Sequence, residues 1–484
     1  MDSDLMRYLE VIDAKSDAIN QLSDEIWAYA ETAFSETRSV EALTAFLAKE
    51  GFTVKKGVYG VETAFTAEYG SGSPRIGFLG EFDALSGMSQ VAESVEKIDD
   101  VPGESGHGCG HNLLGAGSVA AVLAMKQYLD DGHKGTVVYY GCPGEEGGSG
   151  KAFMARDGAF QDLDFAMTWH PGAVNEVYKD SSLANFQVLY SFTGRSAHAA
   201  GCPEMGRSAL DALELMNVGT NFLREHMLDQ ARIHYAITNT GGFSPNVVQS
   251  QAKAIYLIRA PKVKLAYELY QRVNKIAEGA ALMTETTVES LLIKSCANVI
   301  PNRVLEKVLY EAMNEIGIPE YTEEEYVKAA AYTKTAPEGA EQKFNELIDD
   351  HLLPENKAFL KANRCNRIAD FIVPYEDIHL VKTGAGSTDV ADTSWMCPTS
   401  QIHTVTWAPY TPAHSWQAVS QGKSSVAHKG LLYAGKALAL AAMKMLEQPE
   451  KIAAARAEWK EELEGQTYIP IPAGIKPRPI SDIG

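Results

Sequence analysis

Residues 136–142 read TVVYYGC, and residues 143–148 continue as PGEEGG. A short apolar run that ends at Pro and Gly is typical of a buried strand followed by a turn. Residues 75–80 and 165–169 are further short apolar runs, and a helix-like segment rich in Ala and Leu, residues 113–129, separates two of the three. Strands that alternate with helices predict an α/β fold with a mostly parallel central sheet flanked by helices.

Polar side chains follow each of the predicted strands. Asp83 follows the predicted strand at residues 75–80. Glu145 and Glu146 follow the one at residues 136–142, and His170 follows the one at residues 165–169. Because ligands of open α/β sheets bind at the carboxyl ends of the strands, we expect these side chains at one edge of the sheet. Of two adjacent carboxylates in such a place, one can bind a metal ion while the other moves a proton during metal-assisted hydrolysis.

A second candidate for metal binding is the turn GHGCGHN at residues 106–112. Residues two apart point the same way in an extended or sharply turned backbone, so Cys109 and His111 can converge on one ion. A thiolate and an imidazole suit Zn, Mn or Co, as a single ion or a close pair. Taken alone, the turn is also compatible with a glycine-rich loop that holds a buried Cys and a solvated His.

The sequence changes character between residues 185 and 300. The predicted elements there follow the order strand, helix, strand, strand, helix, strand, which is the order of a ferredoxin-like α+β domain. We therefore expect an inserted second domain at residues 185–300 and a larger first domain formed by residues 1–184 and 301–484. Residues 319–363 are rich in Glu, Lys and Ala, which predicts solvated helices.

The composition narrows the classes of function. The 484 residues include 43 basic and 63 acidic side chains and carry a formal charge of −20, which argues against nucleic acid or an anionic membrane as the main partner. The acidic N-terminus does not resemble a signal peptide, and no apolar run is long enough to span a membrane, so a cytoplasmic location is expected. Six scattered cysteines without a CxxC pair predict free thiols.

Together these motifs resemble the M20 family of metallopeptidases and amidohydrolases, in its aminoacylase, carboxypeptidase and aromatic-amide hydrolase branch. Residues 106–112 are similar to the family's Cys-Gly-His-Asp turn, and residues 81–85 are similar to its acidic strand-end motif. Glu145 and Glu146 resemble its catalytic Glu-Glu pair, and residues 411–414 resemble the segment that carries its distal metal histidine. The resemblance covers nearly the whole chain.

The resemblance implies a centre of two divalent metal ions, Mn or Zn. Its ligands would be Cys109, His111, Glu146, His170 and His414. Glu145 would be the general base and acid, and Asp83 would orient a ligand from behind. Asn112 stands where many relatives have an acid, which leaves the role of that position open. His107 is expected to be a supporting or loop residue rather than a ligand.

The inserted domain resembles the family's lid and dimerisation domain. The resemblance implies that His198 reaches across a subunit interface and stabilises the oxyanion that develops on the scissile carbonyl. Asn246 and Arg259 match substrate-binding residues of the lid, and a guanidinium can grip a carboxylate through two parallel hydrogen bonds. Backbone N–H groups near Gly386 are expected to contact the same carboxylate. For Arg259, a surface salt bridge remains an alternative.

The function implied is a metal-dependent hydrolase that cleaves the amide bond between an acyl group, expected to be aromatic, and an amino acid. A homodimer, or a heterodimer with a related chain, is implied as well. Three alternatives remain open. The chain could be an aminoacylase or dipeptidase with non-aromatic substrates, a weakly active subunit that binds a partner, or a cysteine hydrolase that uses Cys109 with His111.

Overall fold

The structure, a computed structural model, describes residues 2–377 and 382–479. Within these residues the chain forms two compact units. The first unit contains the described residues up to Asp180, residues 300–377 and residues 393–464, and the second contains residues 181–299, 382–392 and 465–479. Residues 378–381 and 480–484, which the predicted first domain includes, lie outside the described residues. The assignment of residues 185–300 to a functional lid stays a prediction.

The strands are, in chain order, β1 (Thr53–Lys56), β2 (Phe65–Ser71), β3 (Arg75–Glu81), β4 (Gly135–Cys142), β5 (Phe165–Gly172), β6 (Glu176–Tyr178), β7 (Ser181–Ser182), β8 (Ala184–Thr193), β9 (Arg232–Asn239), β10 (Gln251–Ala260), β11 (Thr287–Cys296), β12 (Thr383–Gly384) and β13 (Thr399–Val405).

The α-helices are α1 (Glu10–Ala14), α2 (Ser16–Tyr29), α3 (Thr37–Lys49), α4 (His111–Asp130), α5 (Glu145–Gly148), α6 (Gly150–Arg156), α7 (Ala209–Leu223), α8 (Val263–Thr284), α9 (Arg303–Ile316), α10 (Glu323–Thr333), α11 (Gln342–Asp350), α12 (Pro354–Asn363), α13 (Val390–Ser394), α14 (Trp416–Gln421), α15 (Ser425–Glu447) and α16 (Pro449–Glu462). Short 3-10 helices cover Asp2–Leu9, Pro203–Met205 and Arg224–His226.

The first unit is built on one sheet with the strand order β1-β2-β4-β3-β5-β13-β6. The central strands β4, β3, β5 and β13 run parallel to one another, which confirms the predicted sheet. Strands β1, β2 and β6 extend it with antiparallel pairs. Strand β4 is buried along its whole length, because helices cover a parallel sheet on both faces, and this burial explains its unbroken apolar sequence.

The helical layers of the first unit pack around α4. Helix α4 contacts α15, α2 and the strands β3, β4 and β5, and nearly all of its side chains are buried. Its sequence is apolar on every side, which is typical of a helix enclosed by other elements. The first residue of this central helix is His111, so the packing of α4 fixes one end of the predicted metal-binding turn.

The charged segment predicted as solvated helices folds as α10, α11 and α12 in the first unit. These helices are not polar on every side, because one face of each contributes to a local core. The core includes Tyr332 from α10, Ile348 from α11, Leu360 from α12 and Phe371 from the chain that follows. No helix among the described residues is both long enough and apolar enough to cross a lipid bilayer.

The second unit contains an antiparallel sheet with the strand order β11-β8-β10-β9. Helices α7 and α8 pack against this sheet. Alternate side chains of β10 are buried, as expected for a strand with one covered face. The succession β8, α7, β9, β10, α8, β11 is the ferredoxin-like order that the sequence predicted, so this part of the fold prediction is confirmed.

Candidate metal centre

The carboxyl ends of the parallel strands carry the polar side chains that the sequence placed there. Asp83 lies two residues beyond the end of β3, and Glu145 and Glu146 begin α5, three residues beyond the end of β4. His170 lies in β5, the strand on the other side of β3. The Cys109 turn lies against the same edge, because the Cys109 Sγ atom is 3.3 Å from Nε2 of His170.

Two glycines set the directions in which these side chains leave the backbone. Gly110 precedes His111 with φ 75°, and a Cβ there would lie 2.9 Å from the side chain of Pro171. Gly144 precedes Glu145 with φ 68°, and a Cβ there would lie 2.8 Å from the ring of Phe34. A side chain at either position would meet both a strained backbone and a steric clash, so glycine is required at both turns.

The potential metal-binding atoms of the predicted ligands lie close together. Three groups have ligand atoms within 4.8 Å of one another, namely Cys109 with His111 and His170, Cys109 with Glu146 and His414, and Glu81 with His111 and Glu145. Within the second group, Nε2 of His414 is 3.0 Å from Oε1 of Glu146. Because Cys109 and His111 are shared between groups, the three form one continuous cluster at the edge of the sheet.

Asp83 forms hydrogen bonds to two members of this cluster, His111 and Glu146. Its Oδ1 atom accepts a hydrogen bond of 2.9 Å from Nδ1 of His111, and its Oδ2 atom accepts one of 3.0 Å from the backbone N–H of Glu146. The bond to Nδ1 fixes the ring of His111 with Nε2 facing the cluster. A carboxylate behind a metal-binding imidazole has this arrangement in many metalloproteins.

The buried carboxylates of the cluster are held in the ionised form. Burial acts to raise the pKa of Asp83, but the hydrogen bond from His111 and its charge hold that pKa below the ordinary value. Burial likewise opposes ionisation of Glu146, and the close contact with His414 together with the charge of His111 keeps its pKa low. These two carboxylates therefore stay ionised in the protein interior, beside histidines whose own pKa values are raised.

Burial favours the neutral forms of two predicted donors, His170 and Cys109. Burial and the neighbouring His403 and His111 lower the pKa of His170 far below its ordinary value, so His170 is neutral and can offer a lone pair. Burial and the charge of Glu146 raise the pKa of the Cys109 thiol. A divalent cation reverses such a shift, because a coordinating thiol loses its proton outright.

The donor set fits divalent transition-metal ions. Thiolate, imidazole and carboxylate are the ligand types of Zn, Mn and Co sites. In addition, Nε2 of His111 is buried and forms no hydrogen bond within the described residues. A buried polar atom in that state carries a free-energy cost unless something binds it, so its position favours a cation at this point.

His107 and Asn112 flank the predicted ligands of the turn, and both side chains are buried in contacts with neighbouring segments. Nε2 of His107 is 3.0 Å from the backbone carbonyl of Ile26. Burial lowers the pKa of His107 to about 4, so it is neutral. The side-chain amide of Asn112 donates to Ser23 Oγ at 3.0 Å and to the Gly422 carbonyl at 3.1 Å. Both residues thus tie the turn to neighbouring segments of the first unit.

The predicted substrate-binding residues all lie in the second unit. His198 is exposed, and its Nδ1 accepts hydrogen bonds from the backbone N–H groups of Ala200 and Gly201 at 3.2 and 3.1 Å. This leaves the ring proton of a neutral His198 on Nε2. The carbonyl of Asn246 accepts from the N–H of Ala199 at 2.9 Å, so His198 and Asn246 belong to adjacent segments.

Arg259 and Gly386 form a separate group in the same unit. The half-buried Arg259 donates from Nη1 to Ser387 Oγ at 3.2 Å, and that hydroxyl donates to the Leu183 carbonyl at 2.6 Å. Gly386 uses its carbonyl to accept a 2.9 Å bond from the N–H of Leu183. The Nε atom of Arg259 is buried without a hydrogen-bond partner in the described residues, so the guanidinium retains donor capacity.

Two residues at the edge of the sheet were not among the predicted site residues, although the acidic strand-end motif includes the first of them. Glu81 contributes to the third group of potential ligands, and its position two residues before Asp83 on an extended strand could have indicated that both face the same way. Lys151 forms a 2.5 Å ion pair with Glu81 and is fully buried. Nothing in the sequence around residue 151 indicates a buried lysine.

A parallel sheet that gathers thiol, imidazole and carboxylate groups at the carboxyl ends of its strands has the donor set of a metal-dependent α/β enzyme. The particular family follows from comparison with known proteins. Residues 78–348 match the peptidase family M20/M25/M40, and the chain belongs to this family. The match and the relatives of the chain place it among enzymes that hydrolyse amide bonds.

Individual relatives agree with the family assignment. The chain is 45% identical over 480 residues to a subunit of the p-aminobenzoyl-glutamate hydrolase of Escherichia coli (strain K12), an alignment that covers 99% of each chain. It is 33% identical to the Xaa-Arg dipeptidase of Homo sapiens over 65% of this chain and 72% of that protein. A dinuclear metal-binding M20 peptidase from Bacillus subtilis shares the fold with a TM-score of 0.55 at 16% identity, covering 90% of this chain and 99% of that one.

Proposed function

We propose that this enzyme hydrolyses the amide bond between an acyl group and an amino acid, with p-aminobenzoyl-glutamate as the leading candidate substrate. The observation that carries the proposal is the approach of Cys109, Glu146 and His414 within 4.8 Å at the edge of the sheet. The 45% identity to a p-aminobenzoyl-glutamate hydrolase chain over almost the full length supports the substrate class.

In this proposal the metal ligands are Cys109, His111, Glu146, His170 and His414. When bound, two divalent cations, Mn or Zn, would polarise the scissile carbonyl and lower the pKa of a water molecule to ~7. Asp83 keeps His111 oriented through the 2.9 Å hydrogen bond to Nδ1 and holds the backbone of Glu146 at the same time. One buried carboxylate thus positions ligands that come from two different turns.

Glu145 is proposed as the group that moves the proton. It is half-buried and directly precedes Glu146, and its carboxylate lies within 4.8 Å of potential ligand atoms of Glu81 and His111. From that position it can accept a proton from the attacking water and deliver it to the departing amine of the amino acid. The products are a free carboxylic acid and a free amino acid.

The second unit is proposed to bind the rest of the substrate. His198 carries its ring proton on Nε2, because Nδ1 accepts two backbone hydrogen bonds, so it can donate to the developing oxyanion. Arg259 has a buried Nε donor without a partner among the described residues and can hold the carboxylate of the amino acid, with Asn246 and backbone near Gly386 assisting.

A partner chain is part of the proposal. The relative from Escherichia coli bears the name of a subunit, which supports either a homodimer or a complex with a related chain. The acidic composition and the scattered cysteines of the sequence support a cytoplasmic location.

The adjacent residues Glu145 and Glu146 supply a matched test. Glu145→Gln should lower kcat on p-aminobenzoyl-glutamate by about 10²–10⁴-fold while the protein retains its metal content, because only the proton transfer is lost. Glu146→Gln should lower the metal content itself. If both variants kept their metal and their turnover, the proposed roles would be wrong.

The three alternatives give different results in the same assay. A panel of N-acyl amino acids with aromatic and aliphatic acyl groups separates an aromatic-amide hydrolase from an aminoacylase or dipeptidase. A subunit that only binds a partner would stay inactive when supplied alone with Mn or Zn. A cysteine hydrolase would lose activity on alkylation of Cys109 and keep it in the presence of a chelator.

A further inference from the structure

Glu81 lies inside the metal centre but has no role in the proposed mechanism. It ends strand β3 and is 2% exposed. Its Oε2 atom is 3.2 Å from Nε2 of His111, and its Oε1 atom is 2.5 Å from Nζ of Lys151. All three residues belong to the interior of the first unit. The two oxygens of this carboxylate therefore face different partners.

The contact between Glu81 and His111 is not a hydrogen bond. Oε2 and Nε2 are close enough for an ion pair, yet Nε2 forms no hydrogen bond within the described residues. Since Asp83 occupies Nδ1, Nε2 is the ring atom that remains for a cation. Oε2 of Glu81 and Nε2 of His111 therefore lie close together without a hydrogen bond between them. Two ligand atoms of one metal ion have the same arrangement.

The distance between these atoms fits shared coordination. Bonds from a first-row cation to imidazole nitrogen and carboxylate oxygen are about 2.0–2.2 Å. Donor atoms 3.2 Å apart are close enough for both to bind one such cation. Glu145 also has a carboxylate oxygen within 4.8 Å of a potential ligand atom of each residue.

Lys151 explains why only one oxygen of Glu81 would be available. A fully buried ammonium group has a large desolvation cost unless a carboxylate pairs with it. Lys151 is fully buried and meets this requirement through Oε1 of Glu81. Oε2 lies on the side of His111, and the pair also offsets part of the negative charge of the carboxylates Glu81 and Glu146.

We propose that Glu81 is a further protein ligand of the metal centre, binding through Oε2 the cation held by His111, and that Lys151 is a positioning residue that restricts Glu81 to this one oxygen. The inference rests on the proposed metal centre and adds to it a ligand that lies two residues before Asp83.

The test is a calorimetric titration of the metal-free full chain with Mn²⁺ or Zn²⁺. Glu81→Gln should weaken binding of one of the two ions by about 10–100-fold and leave the other unchanged. Glu306→Gln is the matched control, because Glu306 is equally buried at 2% exposure but contacts Tyr375 rather than the cluster. The control should bind both ions like the wild type.

Two further variants separate coordination from charge balance. Glu81→Asp keeps a carboxylate for Lys151 but shortens the side chain by one methylene group, so it should weaken the same ion. Lys151→Met should act in the opposite direction on metal affinity, because it frees Oε1 and removes a positive charge, while it lowers the melting temperature of the metal-free protein. The Co²⁺-loaded forms should show altered visible absorption bands in each Glu81 variant.

The outcomes distinguish this inference from the proposed function. A wild-type chain that binds no divalent ion would contradict the proposed function itself. A wild type that binds two ions, together with Glu81→Asp and Glu81→Gln variants of unchanged affinity and unchanged Co²⁺ spectrum, would overturn only the assignment of Glu81. Equal losses of affinity in Glu81→Gln and Lys151→Met would indicate a structural ion pair and would overturn it as well.

Discussion

Buried carboxyl groups occur in two contrasting settings within the first unit. Asp83 and Glu146, at the edge of the sheet, have histidine partners, and these partners hold the pKa of each below its ordinary value despite burial. Glu306, in α9, has the hydroxyl of Tyr375 as its partner at 2.8 Å, and burial raises its pKa to about 8. Burial alone thus removes the charge from a carboxyl group, whereas cationic neighbours preserve it.

Glu36 shows that the sign of the neighbouring charge decides the outcome. It lies close to the cluster, since its Oε1 accepts a 2.9 Å hydrogen bond from the N–H of Gly144. Burial raises its pKa to about 8, and the negative charge of Asp83 adds to the effect. A neutral carboxyl group can therefore support the turn before Glu145 without competing for a cation.

Removal of metal gives the largest effect that the comparison predicts. If the charges at the edge of the sheet are kept for cations, a chelator should abolish hydrolysis, and added Mn or Zn should restore it. The measurement is the rate of p-aminobenzoyl-glutamate cleavage before and after dialysis against chelator. Full activity in the chelated protein would point instead to the cysteine hydrolase alternative.

Neutralising Asp83 should have an intermediate effect. Asp83→Asn should lower metal affinity by about 10–100-fold, because His111 and the backbone of Glu146 lose the charge that orients them. Glu36→Gln is the control, because Glu36 is already neutral at pH 7 with a pKa of about 8. Metal titration of both variants should show the loss in the first only, and equal losses would remove the distinction between the two settings.

Replacing Glu306 should have the smallest effect, on stability alone. The pKa of Glu306 is raised to about 8 in the folded protein, so the folded state binds more protons than the unfolded chain between pH ~4.3 and 8. This contribution to stability is complete below the unfolded pKa and is lost as the pH rises through the folded one. Between pH 5 and pH 9, the free energy of unfolding of the wild type should therefore fall by on the order of 1–3 kcal/mol more than that of Glu306→Gln.

Urea unfolding of the two metal-free proteins at both pH values measures this difference. The substitution keeps an acceptor for the hydroxyl of Tyr375, so it should remove the titration without removing the hydrogen bond. A gap between wild type and variant that is the same at pH 5 and pH 9 would show that Glu306 is not neutral in the folded state.

The parts of the fold that could be predicted from the sequence are those in which burial produces a clear apolar pattern. Strand β4 is apolar throughout because both faces of a parallel sheet are covered, and the alternation of strands with helices then fixes the edge where Asp83, Glu145 and His170 lie. Strand β1, in contrast, reads TVKK and is largely exposed, so its pairing with β2 left no apolar pattern to find.

Contacts that depend on register or on distant burial could not be predicted. His403 is paired with His170 only through the parallel register of β13 and β5, which brings their ring centroids to 5.7 Å. Lys151 follows the Glu145 turn in a helix, and its full burial depends on how that helix packs against the end of β3. The sequence shows the residue type in each case but not its partner.

The most direct test of the metal centre is the number of divalent ions bound by the metal-free chain in a calorimetric titration. We predict two ions per chain for the wild type, with protons released on binding because burial raises the pKa of the Cys109 thiol. We predict fewer than two for Cys109→Ala and for His414→Ala. A wild type that binds no ion, or variants that bind two with unchanged affinity, would contradict this account.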